Sequence, residues 1–210
     1  SAEPQFFGYT YTAADFADFN RDGRPDLVLT RRGANAATFY LNAGQRERGG
    51  MPRFREAGTV KLVGWQACRA VDLDGDGAVD LVVNGEFIRN ENPDGWPFRA
   101  AKPSRLNAGR QPCFVDINSD GCLDAVCLQG ADAVQPDFYR VAWRQNLGEV
   151  PPTFGEERPL PEVDVTDISS VASWRQGADS GLIVQHGAFQ ELSIFRLSIR
   201  LSCDKDSIAC

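Results

Sequence analysis

Three copies of one nine-residue pattern, short apolar runs on both sides of each copy, and starts spaced 54 and then 44 residues apart predict an all-β protein. The architecture expected is a four-bladed β-propeller of four-stranded antiparallel blades. The copies are Asp18–Asp26, Asp72–Asp80 and Asp116–Asp124. Each carries Asp or Asn at positions 1, 3, 5 and 9, Gly at position 6, and an apolar residue or proline at position 8. A plain hairpin turn accounts for one Asp-Gly pair, but not for four acidic or amide positions kept three times.

The elements follow in chain order. Before each pattern stand Ala13–Phe16, Ala67–Val71 and Pro112–Val115, and after it Leu27–Leu29, Leu81–Val83 and Ala125–Cys127. Runs this short, bounded by Gly and Asp, read as strands, which makes each pattern the bend of a β-hairpin. Thr38–Asn42, Glu86–Asn90 and Ala142–Asn146 follow as a third strand. Pro52–Phe54, Pro97–Phe98 and Pro152–Phe154 then open a fourth.

A fourth unit fits Val171–Val184, with Ser173, Arg175, Gly177 and Gly181 at positions 1, 3, 5 and 9. Its strands are kept and its carboxylates are gone, so this blade is expected to hold no ion. The unit ends on its third strand, Leu192–Ile199, and Pro4-Gln-Phe6 repeats the opening of a fourth. Residues 4–10 are therefore expected to complete the last blade and remove an exposed edge. This predicts one domain over residues 1–201, with blades starting near 14, 68, 112 and 170 and a tail over 202–210. A closed ring implies a monomer; the alternative is a half-propeller that dimerises.

Composition narrows the function. The 42% apolar and 24% charged content over 210 residues belongs to a globular chain rather than a disordered one. No apolar run reaches the roughly 20 residues that cross a bilayer. A formal charge of −7 argues against a nucleic-acid backbone as partner.

The acidic side chains are gathered, not spread. Ca²⁺ takes six to eight oxygen ligands, and a tight bend with carboxylates at alternate positions can turn several inward. Metal ligands are expected at Asp18, Asn20, Asp22, Arg24 and Asp26; at Asp72, Asp74, Asp76, Ala78 and Asp80; and at Asp116, Asn118, Asp120, Cys122 and Asp124. At Arg24, Ala78 and Cys122, position 7, the ligand is the backbone carbonyl, which leaves the side chain free to vary. An all-oxygen set excludes softer metals. About three Ca²⁺ are expected, and they would bring the formal charge from −7 to −1. An EF-hand is excluded, because its position-12 Glu is replaced by Leu29, Val83 and Cys127.

These loops, each leading into an apolar strand and then an aromatic-Asn segment, resemble the FG-GAP/VCBS repeats of extracellular β-propellers. The resemblance is strong over three units and weak over the fourth. It implies Ca²⁺ between the first two strands of a blade, an extracellular setting, and recognition of proteins or glycans. Related rings are usually larger, seven-bladed in integrin heads and in some fungal lectins.

Six cysteines without a Cys-x-x-Cys pair suggest disulfides and an oxidising compartment. Cys113 with Cys127, Cys203 with Cys210, and Cys68 with Cys122 form one pairing; Cys68 with Cys113 and Cys122 with Cys127 form another. A secreted protein, extracellular or periplasmic, is expected. The single histidine, His186, has no triad motif around it, so no enzyme is expected. Among Trp65, Trp96, Trp143 and Trp174, Trp96 has the most loop-like surroundings and is the candidate ligand-binding residue. A lectin-like or adhesive recognition module is the expected function. A polysaccharide-acting enzyme or a structural spacer is the alternative.

Overall fold

A computed structural model describes residues 11–31, 35–44, 52–62, 68–129, 140–160, 163, 168–176, 179–186 and 191–196. The described regular structure is all strand. It falls into two compact units, Ser1–Arg105 and Leu106–Cys210. Four antiparallel meander sheets, two per unit, are the blades of the expected four-bladed β-propeller.

In the first unit one sheet runs β1 (Tyr11–Ala17), β2 (Asp26–Arg31), β3 (Ala36–Asn42) and β4 (Phe54–Lys61). The other runs β5 (Cys68–Val71), β6 (Asp80–Val83), β7 (Glu86–Ile88) and β8 (Ser104–Arg105). Buried Phe19, Val28, Phe39, Leu81, Val83 and Ile88 make the core between them. Phe39 stands at the centre of an aromatic group, 5.0 Å from Phe19 and 5.6 Å from Trp96 between ring centroids. Asn84 and Gly85, both with positive φ, make the tight turn from β6 to β7.

The second unit holds β9 (Arg110–Val115), β10 (Asp124–Gln129), β11 (Arg140–Arg144) and β12 (Arg158–Pro159), then β13 (Ile168–Gln176), β14 (Asp179–His186) and β15 (Glu191–Arg196). Cys113, Val126, Trp143, Val171, Leu182 and Val184 are among the side chains of its core. The completing strand expected from residues 4–10 and the tail at 202–210 lie outside the described residues.

The three hairpins open into their loops at matching places. Ladder pairing ends at Ala17↔Asp26, Val71↔Asp80 and Val115↔Asp124, so position 9 of each pattern is already strand. Position 6 takes the left-handed backbone in all three, Gly23 at φ 81°, Gly77 at 86° and Gly121 at 91°. Nothing lies within 4 Å of where a Cβ on Gly121 would stand, so alanine there is opposed by backbone conformation alone. Gly121→Ala is expected to lose about 1–2 kcal/mol in urea unfolding.

Three expectations are corrected. The fourth strands do not open at Pro97–Phe98 or Pro152–Phe154: β8 and β12 lie further on and are two residues long. Only isolated bridges, Asn90↔Ala100 and Asn146↔Phe154, precede them. A proline has no N–H to give to a ladder, and these segments are tied by a few backbone bonds around each bridge, such as Gly155 N–H to the Gln145 carbonyl at 2.8 Å, and by side chains, as when Asn92 Nδ2 donates to the Pro97 carbonyl.

The fourth hairpin has no nine-residue loop. Its ladder continues through Ser173↔Leu182, Trp174↔Gly181, Arg175↔Ser180 and Gln176↔Asp179. With no carboxylates crowded at this bend to push the strands apart, the ladder runs on to Gln176↔Asp179.

No disulfide joins Cys68, Cys113, Cys122 and Cys127 to one another, and Cys68 and Cys127 are thiols. Cys113 stands opposite Val126 and shares its face, so its neighbour Cys127 points to the other side of the sheet. There its Sγ lies 3.8 Å from Glu157 Oε2. Burial pushes the Cys68 thiol up to about 12 and that of Cys127 to about 11. The pair Cys203 and Cys210 lies outside the described residues.

Candidate metal centre

Each acidic loop is organised by its own carboxylates. The position-1 side chain reaches across the bend: Asp18 Oδ2 accepts the Gly23 N–H at 2.7 Å, Asp72 Oδ2 the Gly77 N–H at 2.9 Å, and Asp116 Oδ2 the Gly121 N–H at 3.1 Å. The position-5 side chain accepts the N–H of position 7, from Arg24 at 2.9 Å, Ala78 at 2.8 Å and Cys122 at 2.9 Å. Position 3 accepts from position 5: Asn20 from Asp22 N–H, Asp74 from Asp76 N–H, and Asn118 from Asp120 N–H. Carboxylates gathered around one bend give it the donor set of a hard-cation site.

Position 9 has a second task. Asp26, Asp80 and Asp124 are fully buried. One oxygen of each accepts the N–H of position 2, from Phe19 at 3.1 Å, Leu73 at 3.3 Å and Ile117 at 3.0 Å. The other accepts an N–H from the segment ending the third strand, Asn42 at 2.7 Å, Asn90 at 2.8 Å and Asn146 at 2.8 Å. Those asparagines reach back to the carbonyls of Pro25, Val79 and Leu123, at position 8. This Asp–Asn staple ties the loop to the body of its blade three times over.

Sequence reasoning named the aromatic-Asn segment but not its role, and passed over position 2, where Phe19, Leu73 and Ile117 plug the core at 2% exposure or less. The signal was present, since all three position-2 residues are large and apolar. Desolvation dominates the titration of position 9. It pushes Asp80 up to about 7 and Asp124 to about 6, and raises Asp26, despite the N–H donors that work the other way.

The Asp72 loop differs from its sisters. Asp72, Asp74 and Asp80 each bring one carboxylate oxygen to within 4.8 Å of the others, the only such acidic group among the described residues. Asp72 Oδ1 and Asp74 Oδ2 are buried without a hydrogen bond. Asp74 Oδ2 is still met by a guanidinium, whereas Asp72 Oδ1 has no such partner; a buried carboxylate oxygen without one is costly, and a cation removes the cost. The Asp72 carboxyl is itself raised, by desolvation first and then by Asp76 and Asp74. In the other two loops position 3 is Asn, whose amide donates to the position-5 carboxylate: Asn20 to Asp22 at 2.9 Å and Asn118 to Asp120 at 2.6 Å.

Arginines serve as local counter-charges. Arg89, next to the staple Asn90, places Nε 2.6 Å from Asp74 Oδ2, an ion contact without hydrogen-bond alignment, and Nη2 2.8 Å from Asp76 Oδ2. Arg24 pairs with Asp22 in the first loop. Arg89 therefore competes with any cation for the same oxygens. Its side chain is 38% exposed, so water screens the contact. Arg89→Gln is expected to tighten cation binding by roughly three- to tenfold, read by titration calorimetry.

The remaining candidates sit elsewhere. Trp96 is half-buried against Phe39, with its ring also 3.6 Å from the Cβ position of Gly58, so much of its surface is used in packing. Trp65 lies outside the described residues. His186 Nε2 is 2.7 Å from Ser193 Oγ, across β14 and β15.

No curated protein and no solved structure matches the chain. Residues 18–83, from the start of the first acidic loop to the end of β6, match the family model of the FG-GAP-like repeat, so the chain carries repeat sequence of that family across its first two loops.

Proposed function

We propose that this chain is a calcium-holding β-propeller that acts as a recognition module in an extracellular setting, secreted or periplasmic, with a glycan or a protein as partner. The observation that carries the reading is the group formed by Asp72, Asp74 and Asp80, in which the buried Asp72 Oδ1 has no hydrogen bond and Asp74 Oδ2 is met only by the Arg89 guanidinium. The repeat match supports it, since FG-GAP repeats often bind calcium and are typical of extracellular proteins. No described helix is long and apolar enough to cross a membrane.

In this reading Asp72, Asp74, Asp76 and Asp80 hold the ion in the second loop, with the carbonyl of Ala78. Asp18, Asn20, Asp22 and Asp26 hold one in the first, with Arg24; Asp116, Asn118, Asp120 and Asp124 hold one in the third, with Cys122. Bound Ca²⁺ supplies the positive charge that lets several carboxylates stand together. The protein's share is the rest: position-1 side chains clamp each bend, and position-9 side chains fasten it to the sheet. The outcome is that each short loop is held rigidly on its own blade, the kind of loop on which binding residues are held in place.

A glycan array probed with the calcium-loaded protein and again in EDTA tests recognition. Saturable binding to a defined glycan set, weakened in EDTA, is the expected outcome. Release of cleaved product would instead identify an enzyme, and silence on glycan and protein arrays alike would leave a spacer.

A further inference from the structure

We propose that the outer edge of the first unit is a docking surface for an acidic glycan, one that carries carboxylate or sulfate groups. The proposal rests on the recognition reading above and names the class of ligand and the strands that take it. β4 and β8 are the outer edges of the two sheets in this unit. β4 and the residue before it carry Arg53, Arg55 and Lys61, and the segment that runs into β8 carries Arg99, Lys102 and Arg105. All six residues are exposed, and none makes an ion pair with a described carboxylate. Glu56 is the one acid on either segment. The two edges adjoin: the Trp96 ring, three residues before Arg99, lies 3.6 Å from the Cβ position of Gly58 in β4.

Charge on an edge strand has an ordinary use, because it keeps sheets from pairing edge to edge, but either sign serves that purpose. In the second unit the edge strand β12 is reached through Glu156 and Glu157, whereas both of these edges in the first unit are basic. The same sorting holds across the sequence. The first unit has 14 of the 22 basic side chains and 14 of the 29 acidic ones; the second has 8 and 15. Seven of the first unit's acids stand in its two acidic bends, which leaves 12 bases against 7 acids in the rest of it. With a Ca²⁺ in each bend its formal charge would rise from 0 to +4. Exposed charges more than about 8 Å apart are largely screened at physiological salt, so this edge acts through its own charge and not through the −7 of the whole chain.

The residue types set the ligand chemistry. Four of the six are arginines, whose planar fork matches carboxylates and tetrahedral oxyanions. Charges spaced along an extended edge suit a linear polymer with an anionic group in each repeat. Neither segment exposes an aromatic ring on which bases could stack, which makes single-stranded nucleic acid the poorer fit. In an extracellular setting the remaining polymer of that kind is an acidic glycan.

The test is fluorescence anisotropy with labelled probes titrated by the calcium-loaded, full-length protein: a heparin-derived octasaccharide, an octagalacturonate, neutral maltooctaose and a single-stranded DNA octamer. Saturable binding of an acidic glycan is expected, about tenfold weaker at about 300 mM NaCl than at about 50 mM, with no binding of maltooctaose. Binding of the heparin probe alone would assign the edge to sulfate, and binding of both acidic probes to either anion. The combined variant Arg99→Ala, Lys102→Ala, Arg105→Ala should weaken binding about tenfold, as should Arg53→Ala, Arg55→Ala, Lys61→Ala, with calcium uptake and melting temperature unchanged in each. If one set fails to fold, the other decides. The proposal is overturned if neither acidic glycan binds, if maltooctaose binds as tightly, if the DNA binds more tightly than both glycans, or if the folded variants bind like the native chain. A neutral glycan found on the array with no acidic one would overturn it while leaving the recognition reading standing.

Discussion

Asp80→Ala is expected to destabilise the protein by about 3 kcal/mol, the largest loss from any single loop substitution considered. Both oxygens of this buried carboxylate accept backbone N–H groups, from Leu73 at 3.3 Å and Asn90 at 2.8 Å. Alanine leaves both donors buried and unsatisfied, each costing about 1–3 kcal/mol, while relief from burying a charge offsets part of that. It also removes a member of the one three-carboxylate group among the described residues. Asp80→Asn keeps one acceptor but turns an amide N–H toward a donor, so a loss of roughly half that size is expected. Urea unfolding of the two variants beside the native chain measures this. Equal stability of Asp80→Ala and native protein would show that the staple carries no weight.

Removing calcium is expected to have a still larger effect, and one that depends on pH. At a free concentration 100-fold above its Kd, each bound ion stabilises the fold by about 2.7 kcal/mol, so stripping several with EDTA should lower the melting temperature by well over 10 °C. The ion-free protein should then be less stable at neutral pH than under mild acid. Asp80 and Asp124 have folded-state values raised by burial from 3.8 to about 7 and about 6. Between those limits the folded chain binds more protons than the unfolded one, so their contribution is fully present below about 3.8 and is lost as pH rises through 6–7. Calcium reverses the slope, because it binds the ionised carboxylates and loses to protons in acid. Melting curves from pH 4.5 to 8, with calcium and with EDTA, should therefore slope in opposite directions. Parallel curves would contradict the account.

Much of this arrangement was legible in the sequence, because alternating acids around a fixed glycine leave a pattern that survives at the level of residue type. Asp18, Asp72 and Asp116 announce the start of each bend, and the apolar runs announce the strands beside it. The direction of a side chain leaves no such mark. Asp26, Asp80 and Asp124 look like further ligands in the sequence, and only the backbone shows each reaching for two N–H groups on different segments. Cys113 and Cys127 look symmetric about their turn, yet the ladder places Cys113 opposite Val126, which sends Cys127 to the other face. The fourth unit was read with its strands kept and its loop emptied of charge. The outcome was a shorter turn, because a ladder extends wherever nothing prevents it.

The central claim is that acidic hairpin bends trap calcium, and calorimetric titration of Ca²⁺ into the chelator-stripped chain tests it most directly. The account predicts saturable uptake of about three ions, falling by about one in Asp76→Ala while the circular dichroism spectrum stays that of a β-sheet protein. A folded, stripped chain that takes up no calcium at millimolar concentration would contradict it.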